Sequence, residues 1–137
     1  MDVPNSTTST ILAVDDTPTN LSVLAELLKD RYRVRVATNG LKALESAAAN
    51  PPDLILLDVM MPDMDGPSTL RKLRGRDSAV DAPAVFITAK VQAGDMAQYR
   101  QLGAFDVIVK PFDPMALPER IGQIWQSYRE GEYGDAG

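Results

Sequence analysis

The sequence predicts a three-layer α/β domain, in which a parallel sheet is covered by helices on both faces. Five short apolar runs alternate with five amphipathic segments in a single pass along the chain, with no internal repeat. Several of the runs are apolar at consecutive positions, as in strands that are buried on both faces. The loops are short, and 137 residues suit one domain. Strand–helix alternation of this kind indicates parallel strands joined by right-handed crossovers.

The amino-terminal part predicts a strand, a helix and a second strand. Residues 10–14 (TILAV) form an apolar run that leads to the carboxylates Asp15 and Asp16. Thr17-Pro18 has the pattern of an N-cap followed by proline at the first helical position, and leucines at helical spacing extend the helix over residues 18–30. Over residues 32–37, tyrosine and valine alternate with arginine and alanine, which is strand periodicity.

The middle of the chain predicts a helix, a buried strand and a short helix. Asn39-Gly40 begins the second helix, and Pro51-Pro52 ends it. Residues 54–57 (LILL) are apolar throughout and lead directly to Asp58. After the loop VMMPDMDG comes a short helix, with Leu70 and Leu73 inward and three basic residues outward.

The carboxyl-terminal part predicts a fourth strand, a helix and a fifth strand. Residues 84–87 (AVFI) form the fourth strand, which ends at Thr88. A helix over about residues 92–102 ends at Gly103, a residue that commonly terminates helices. Residues 105–109 form the fifth strand, and Lys110-Pro111 follows it.

The last helix contains a proline near its start. Because a proline inside a helix removes a hydrogen bond and clashes with the preceding turn, we expect a distorted turn over residues 114–117 and regular helix from Pro118. We expect one domain over residues 10–130, with a disordered lead at 1–9 and a disordered tail at 131–137. An apolar stripe follows the helix, and its last two members are candidates for contact with a partner: Leu117, Ile121, Ile124, Trp125 and Tyr128.

Composition excludes several kinds of site. The chain has no cysteine and no histidine, so disulfides, thiolate nucleophiles, iron–sulfur clusters, histidine bases and histidine-bound metals are excluded. A bound metal would therefore be a hard cation held by oxygen, above all Mg²⁺. The net charge of −5 argues against nucleic-acid binding. No apolar run is long enough to span a membrane and the polar start lacks signal-peptide features, so we expect a cytoplasmic protein.

Polar side chains stand at four of the five predicted strand ends. Asp15 and Asp16 follow the first strand, Asp58 follows the third, Thr88 ends the fourth, and Lys110 follows the fifth. The carboxyl ends of parallel strands lie along one edge of the sheet, where ligands bind, so we expect these side chains to meet. Three carboxylates about 4 Å apart repel by roughly 4 kcal/mol per pair at an effective dielectric constant of about 20. A divalent cation relieves this repulsion, and a hydroxyl and a lysine beside it suit a phosphoryl group.

Four segments together resemble the receiver domain of bacterial two-component response regulators. They occur in order, each at a strand end: VDD at 14–16, LLDVMMPDMDG at 56–66, FITAK at 86–90 and VKPF at 109–112. The resemblance extends from about Thr10 to Tyr128. It implies a flavodoxin-like (βα)5 fold, of the kind seen in single-domain chemotaxis regulators, with strand order 2-1-3-4-5 and a cis peptide bond between Lys110 and Pro111.

The resemblance also implies a chemistry for the acidic residues. Asp58 would accept a phosphoryl group from a phosphohistidine on a histidine kinase or a histidine phosphotransfer protein. Asp16 and Asp58 would bind Mg²⁺, or Mn²⁺ in its place, together with the backbone carbonyl of Met60. Asp15 would act through water or the outer shell of the ion. The protein would then be a phosphoacceptor switch that catalyses only its own phosphorylation and dephosphorylation, rather than an enzyme.

Output would occur at the face formed by the fourth helix, the fifth strand and the last helix, which would control binding of a protein partner. Lys110 would contact the phosphoryl oxygens, and Thr88 would turn its hydroxyl toward them. Many receivers have an aromatic residue three positions before the lysine, but this chain has Val107 there. Rotation of a buried ring is therefore not available, and we expect coupling to depend on Thr88 and the adjacent loop.

Two alternatives stay open at the level of sequence. One alternative is that the chain is the receiver part of a longer regulator with an effector domain. The segments DDTPTNL and NPPDLILLDVMMPDMDG support it, because they also resemble receivers fused to signalling enzymes. The other alternative is a small Mg²⁺-dependent phosphatase that forms an aspartyl phosphate. Such an enzyme needs a DxD motif and a cap domain, whereas Asp15 and Asp16 are adjacent and no residues remain for a cap.

Overall fold

A parallel sheet forms the middle layer of the protein, in a computed structural model that describes residues 9–75, 80–89 and 94–131. Within these residues the strands are β1 (Thr10–Val14), β2 (Arg33–Ala37), β3 (Leu54–Asp58), β4 (Ala84–Thr88) and β5 (Asp106–Val109). The helices are α1 (Pro18–Leu28), α2 (Gly40–Ala49), α3 (Gly66–Arg74), α4 (Asp95–Gln101) and α5 (Leu117–Glu130). The strand order is β2-β1-β3-β4-β5, and the predicted flavodoxin-like topology is confirmed.

The two faces of the sheet form two separate cores. On one face, side chains of α2 and α3 pack against the sheet, with α4 at the margin. On the other face, α1 and α5 pack against it. Consecutive residues of β3 point to opposite cores, so Ile55 and Leu57 belong to the first and Leu54 and Leu56 to the second. This arrangement explains why the run LILL is apolar at every position.

The edge strand β2 departs from a simple alternation of buried and exposed side chains. Val36 is 49% exposed, whereas Arg35 is partly buried. The guanidinium of Arg35 donates hydrogen bonds to the carbonyl oxygens of Ser46, at 3.2 Å, and of Asn50. The carbonyl of Ser46 also accepts from the backbone N–H of Asn50, and the carbonyl of Asn50 lies just beyond α2, so Arg35 binds the carboxyl end of this helix. The predicted strand is confirmed, but the contact with α2, rather than the apolar alternation, determines that Arg35 is partly buried.

The predicted helix starts differ in how they are stabilised. The Oδ1 atom of Asn39 accepts a hydrogen bond from the backbone N–H of Lys42 at 2.8 Å, which confirms the N-cap of α2. Thr17 occupies the N-cap position of α1, as predicted, but its side chain makes no capping hydrogen bond. Its backbone N–H instead donates to Asp15 at 2.9 Å. The first turn of α1 is thereby joined to an acidic residue at the sheet edge.

The last two helices are close to their predicted bounds. The described part of α4 is shorter than the predicted 92–102, and residues 90–93 lie outside the described residues. Gly103 follows α4 with a positive φ of 109°, a conformation that glycine adopts without steric cost. A turn closed by the N–H of Ala116 on the carbonyl of Asp113 precedes α5, and Pro118 lies in its first turn, where no helical hydrogen bond is lost. The predicted distorted turn is confirmed.

The remaining predictions on the chain concern its ends and its relation to membranes. The predicted disordered lead and tail fall, apart from Ser9 and Gly131, outside the described residues. In the part of the chain that the structure describes, no helix combines the length and the apolar character that crossing a membrane requires.

Candidate functional site

Three carboxylates meet at the carboxyl edge of the sheet, as the sequence predicts. Asp15 and Asp16 directly follow β1, and Asp58 is the last residue of the neighbouring strand β3. One oxygen atom from each lies within 4.8 Å of the others. Three acidic groups therefore come together at one point of the sheet edge, and their oxygens are the kind of ligand that a divalent cation takes.

Asp15 and Asp16 are adjacent in sequence but differ in their surroundings. Asp15 is 3% exposed, and its Oδ1 accepts a hydrogen bond from the N–H of Thr17 at 2.9 Å. Its Oδ2 accepts one from Nδ2 of Asn20 at 3.2 Å. Asp16 is exposed to solvent. Asp15 is therefore held by the first turn of α1, whereas Asp16 is accessible to a ligand from solution.

Lys110 brings a positive charge to the acidic residues. Its Nζ atom lies 3.4 Å from Oδ2 of Asp15 and 3.6 Å from Oδ1 of Asp58. The backbone N–H of Lys110 donates to the carbonyl of Thr88 at 2.9 Å, and the peptide bond to Pro111 is cis, as predicted. The end of β5 thus positions an amine between two carboxylates of other strands.

Asp58 is the carboxylate whose ionisation its surroundings oppose. Burial raises its pKa above the ordinary value, and the nearby negative charge of Asp15 raises it further. Lys110 and a hydrogen bond from the backbone N–H of Met60 lower the pKa by less, while Asp16 adds to the increase. A cation bound beside Asp58 would favour the ionised form.

The loop after Asp58 depends on a close approach of backbone. The N–H of Gly66 donates to the carbonyl of Val59 at 2.9 Å. A Cβ atom at position 66 would lie 2.5 Å from the carbonyl oxygen of Asp58, a distance that no side chain can adopt. Val59 and Met61 are buried, while the side chain of Met60 is exposed at the rim. Gly66 thus lets the loop fold back against the end of β3.

Thr88 and Val107 lie in the sheet beside this edge. Thr88 is the last residue of β4 and is buried, and it pairs in register with Val109 of β5. Val107 is also buried and belongs to the first core, as an ordinary strand valine would. A cavity of about 450 Å³ lies next to the acidic residues, between α1 and the segment after Lys110. Its walls include Val23, Leu24 and Phe112.

Sequence reasoning did not identify two polar groups with tertiary roles. Asn20, which contacts Asp15, has no distinguishing local signal. Asp106 is the other: its buried carboxylate lies 3.6 Å from a guanidinium nitrogen of Arg100 and 3.4 Å from one of Arg120. A carboxylate at the start of an otherwise apolar strand is the signal that would have found it.

Comparisons with known proteins agree with this geometry. A family model for the response regulator receiver domain matches residues 11–122. The response regulator PleD of Caulobacter vibrioides is 43% identical over 115 residues, which are 83% of this chain and 25% of PleD. A probable cyclic di-GMP phosphodiesterase of Vibrio cholerae is 35% identical over 120 residues, which are 88% of this chain and 27% of that protein. The chain spans about a quarter of the length of these curated relatives.

The fold has close counterparts among solved structures. The chemotaxis protein CheY4 of Vibrio cholerae superimposes with a TM-score of 0.78 at 28% sequence identity. The superposition covers 85% of this chain and 98% of CheY4. With the family match over most of its length, this likeness shows that the chain belongs to the receiver domains of two-component response regulators.

Proposed function

We propose that Asp58 of this receiver accepts a phosphoryl group from a partner's phosphohistidine, and that a divalent cation is required. The observation that carries the proposal is the arrangement around Asp58. Two further carboxylates lie within 4.8 Å of it, and the amine of Lys110 lies 3.6 Å away. An acidic group surrounded by like charge repels an incoming phosphate unless a cation binds between them.

The residues present fit a hard divalent cation. The donor set consists of carboxylate oxygens, which suits Mg²⁺, with Mn²⁺ as a substitute. Asp16 and Asp58 would bind the ion directly, together with the backbone carbonyl of Met60. Asp15 would act through water, because both of its oxygens already accept hydrogen bonds from the protein. When bound, the cation supplies positive charge to the oxygens of the transferred phosphoryl group.

Asp58 acts as a carboxylate nucleophile. One of its oxygens forms a bond to phosphorus while the phosphorus–nitrogen bond of the phosphohistidine breaks. The electron pair of that bond returns to the imidazole of the donor, which takes up a proton from solvent. A carboxylate that is already ionised needs no general base, so the lack of histidine in this chain is no obstacle. Lys110 is placed to pair with the oxygens of the transferred group.

The response begins at Thr88 and Lys110. Thr88 would turn its hydroxyl toward the phosphoryl oxygens, and it lies where the chain leaves β4 for α4. Lys110 lies where the chain leaves β5 for α5. A change at either residue would alter the surface formed by α4, β5 and α5, called the output face below, and so change binding of a downstream protein.

The partners and the setting follow from the same proposal. The phosphoryl donor is a histidine kinase or a histidine phosphotransfer protein, and the site of action is the cytoplasm. Contact with nucleic acid is not part of the proposal, in keeping with the net charge of −5. The domain extends over residues 10–130, and its only catalysis is its own phosphorylation and dephosphorylation. A receiver that belongs to a longer regulator with an effector domain is the second candidate, supported by relatives of which the chain matches about a quarter.

Intact-mass measurement after incubation with acetyl phosphate and Mg²⁺ tests the proposal. We expect the mass of one added phosphoryl group in the parent, and none in Asp58→Asn or in excess EDTA. Asp63→Asn is the matched control, because Asp63 is an exposed acid in the loop after β3 and should leave the reaction unchanged. Phosphorylation that persists in Asp58→Asn, or in EDTA, would contradict the proposal.

A further inference from the structure

The open edge of β5 is occupied by three side chains. β5 is the last strand of the sheet in the described residues, so one side of its backbone faces away from the other strands. Arg120 of α5 donates to the carbonyl of Val107 on this strand at 3.3 Å, and Arg100 of α4 donates to the carbonyl of Phe105, which directly precedes the strand, at 3.0 Å. The carboxylate of Asp106 accepts from the N–H of Val107 at 2.8 Å. Backbone groups that would otherwise form an open edge are thereby bound.

The same three side chains are joined by ion pairs. Nη2 of Arg100 lies 3.6 Å from Oδ1 of Asp106, and Nη2 of Arg120 lies 3.4 Å from Oδ2. The side chain of Asp106 is 8% exposed, while those of the arginines are 42% and 44% exposed. We call Arg100, Asp106 and Arg120 the edge latch. Removing either arginine from a buried carboxylate that lies between two cations is energetically costly, because the charge of the carboxylate is then poorly compensated.

The helix α4 has fewer buried apolar contacts than α5. None of the residues of α4 is buried, and its N-cap residue Gly94 provides no side-chain capping bond. Its apolar contacts with the core come from the partly buried Met96 and Tyr99, the latter with its ring edge against Phe86. In contrast, α5 buries three large apolar residues. Arg100 therefore adds polar contacts to the few apolar contacts that position α4 on the sheet.

We propose that Asp106 is a positioning residue that couples α4 to α5 through Arg100 and Arg120, so that the output face responds as one unit. The role of that face rests on the proposed function, but the latch contacts exist without a phosphoryl group. Val107 offers no ring that would link β5 to the helices, whereas the latch contacts both helices and the strand. The latch lies at the start of β5, and Lys110 follows its other end.

Hydrogen exchange in the unphosphorylated protein tests the coupling. Asp106→Asn preserves size and an acceptor for the N–H of Val107 but removes the charge. Arg120→Gln removes the guanidinium group that α5 contributes to the latch. We expect amides of residues 95–101 to exchange at least tenfold faster in both variants, while amides of β3 keep the parent rates and show that the fold is intact. The effect of Arg120→Gln on α4 is decisive, because Arg120 lies on a different helix.

Glu26→Gln is the matched control for this experiment. It removes an exposed ion pair with Lys29 on α1, away from the latch, and should leave exchange in α4 unchanged. Exchange in α4 of Arg120→Gln that stays within twofold of the parent would overturn the proposal. Faster exchange confined to α5 would overturn it equally.

The response to beryllofluoride, a phosphoryl mimic, separates this inference from the proposed function. Asp106→Asn should bind beryllofluoride with Mg²⁺ as the parent does, since Asp106 lies two strands from Asp58 and at the opposite end of β5 from Lys110. We expect the amide shifts of residues 95–101 and of residues 117–130 to change by unequal fractions of the parent change, because each helix then responds only through its own connection to Thr88 or Lys110. Equal fractions in the two helices, including changes as large as in the parent, would overturn the coupling. If the parent itself does not bind beryllofluoride, the proposed function fails, and the exchange experiment still decides whether the latch couples the helices.

Discussion

The two ends of β5 carry clusters of ionised groups with opposite balance. Beyond its carboxyl end, three carboxylates lie together and the amine of Lys110 pairs with two of them, so the cluster has a formal charge of −2. At its amino end, one carboxylate lies between two guanidinium groups, so the cluster has a formal charge of +1. In the first cluster the charges repel and burial raises the pKa of Asp58. In the second, the buried charge is compensated from both sides. A cluster with excess negative charge is suited to binding a cation, and a buried carboxylate with a cation on either side is suited to holding helices in place.

Cation binding should show the largest difference between the two ends. Asp16→Ala removes a proposed direct ligand and should weaken Mg²⁺ binding by about 100-fold, whereas Asp15→Ala should weaken it by about tenfold, the lower end of effects seen for groups outside the first shell. Asp106→Asn should leave the affinity unchanged. Isothermal titration with Mg²⁺ measures all three variants. Equal losses in Asp15→Ala and Asp16→Ala would contradict the assignment of the direct ligand.

Stability should change in opposite directions when a carboxylate is neutralised at each end. Asp106→Asn breaks two ion pairs of a buried group, and we expect it to lower the free energy of unfolding by about 2 kcal/mol, less than for a fully buried pair because the arginines are partly exposed. Asp58→Asn relieves repulsion and should raise that free energy in the absence of a divalent cation. Urea unfolding in EDTA measures both. A loss of stability in Asp58→Asn would show that Lys110 already compensates the acidic residues.

Thr88→Ala tests whether a change at the acidic residues beyond the carboxyl end of β5 reaches the output face through Thr88, at the end of β4. The variant should still take up a phosphoryl group at Asp58 but lose most of the change at the output face, because it lacks the hydroxyl that we propose turns toward the phosphoryl oxygens. Loss of one buried hydrogen bond should reduce the free energy that favours the switched state by about 1 kcal/mol. Amide shifts of residues 94–112 with and without beryllofluoride give the size of the change. A response equal to that of the parent would place the switch at another residue.

The pH dependence of stability should show the smallest effect. Because the pKa of Asp58 is raised in the folded protein above its ordinary value of 3.8, the folded state binds this proton more tightly than the unfolded chain does. The ionised group therefore lowers stability at neutral pH, and this loss disappears as the pH falls below the ordinary value. The stabilisation by Asp58→Asn should accordingly shrink between pH 7 and pH 4, as measured by urea unfolding in EDTA. A difference that grows on acidification would contradict the raised pKa.

Several features of the fold could be predicted from local sequence. The consecutive apolar residues of β3, the Asn39 cap and the proline at the start of α5 act through their own neighbours in the chain. The meeting of Asp15, Asp58 and Lys110 also followed from the sequence, because parallel strands must bring their carboxyl ends to one edge. The positions of the strands in the sequence are therefore enough to predict which side chains meet at the site.

Contacts between distant residues were decided by the tertiary structure alone. Arg35 is partly buried because it binds carbonyl oxygens at the end of α2. The alternation of apolar and polar residues in β2 therefore does not predict which of its side chains are buried. Asp15 and Asp16 look alike in the sequence, yet the first turn of α1 binds only the former. The edge latch joins residues from α4, β5 and α5. The local sequence does not reveal such contacts. Their energy depends on burial and on a partner that only the folded chain brings near.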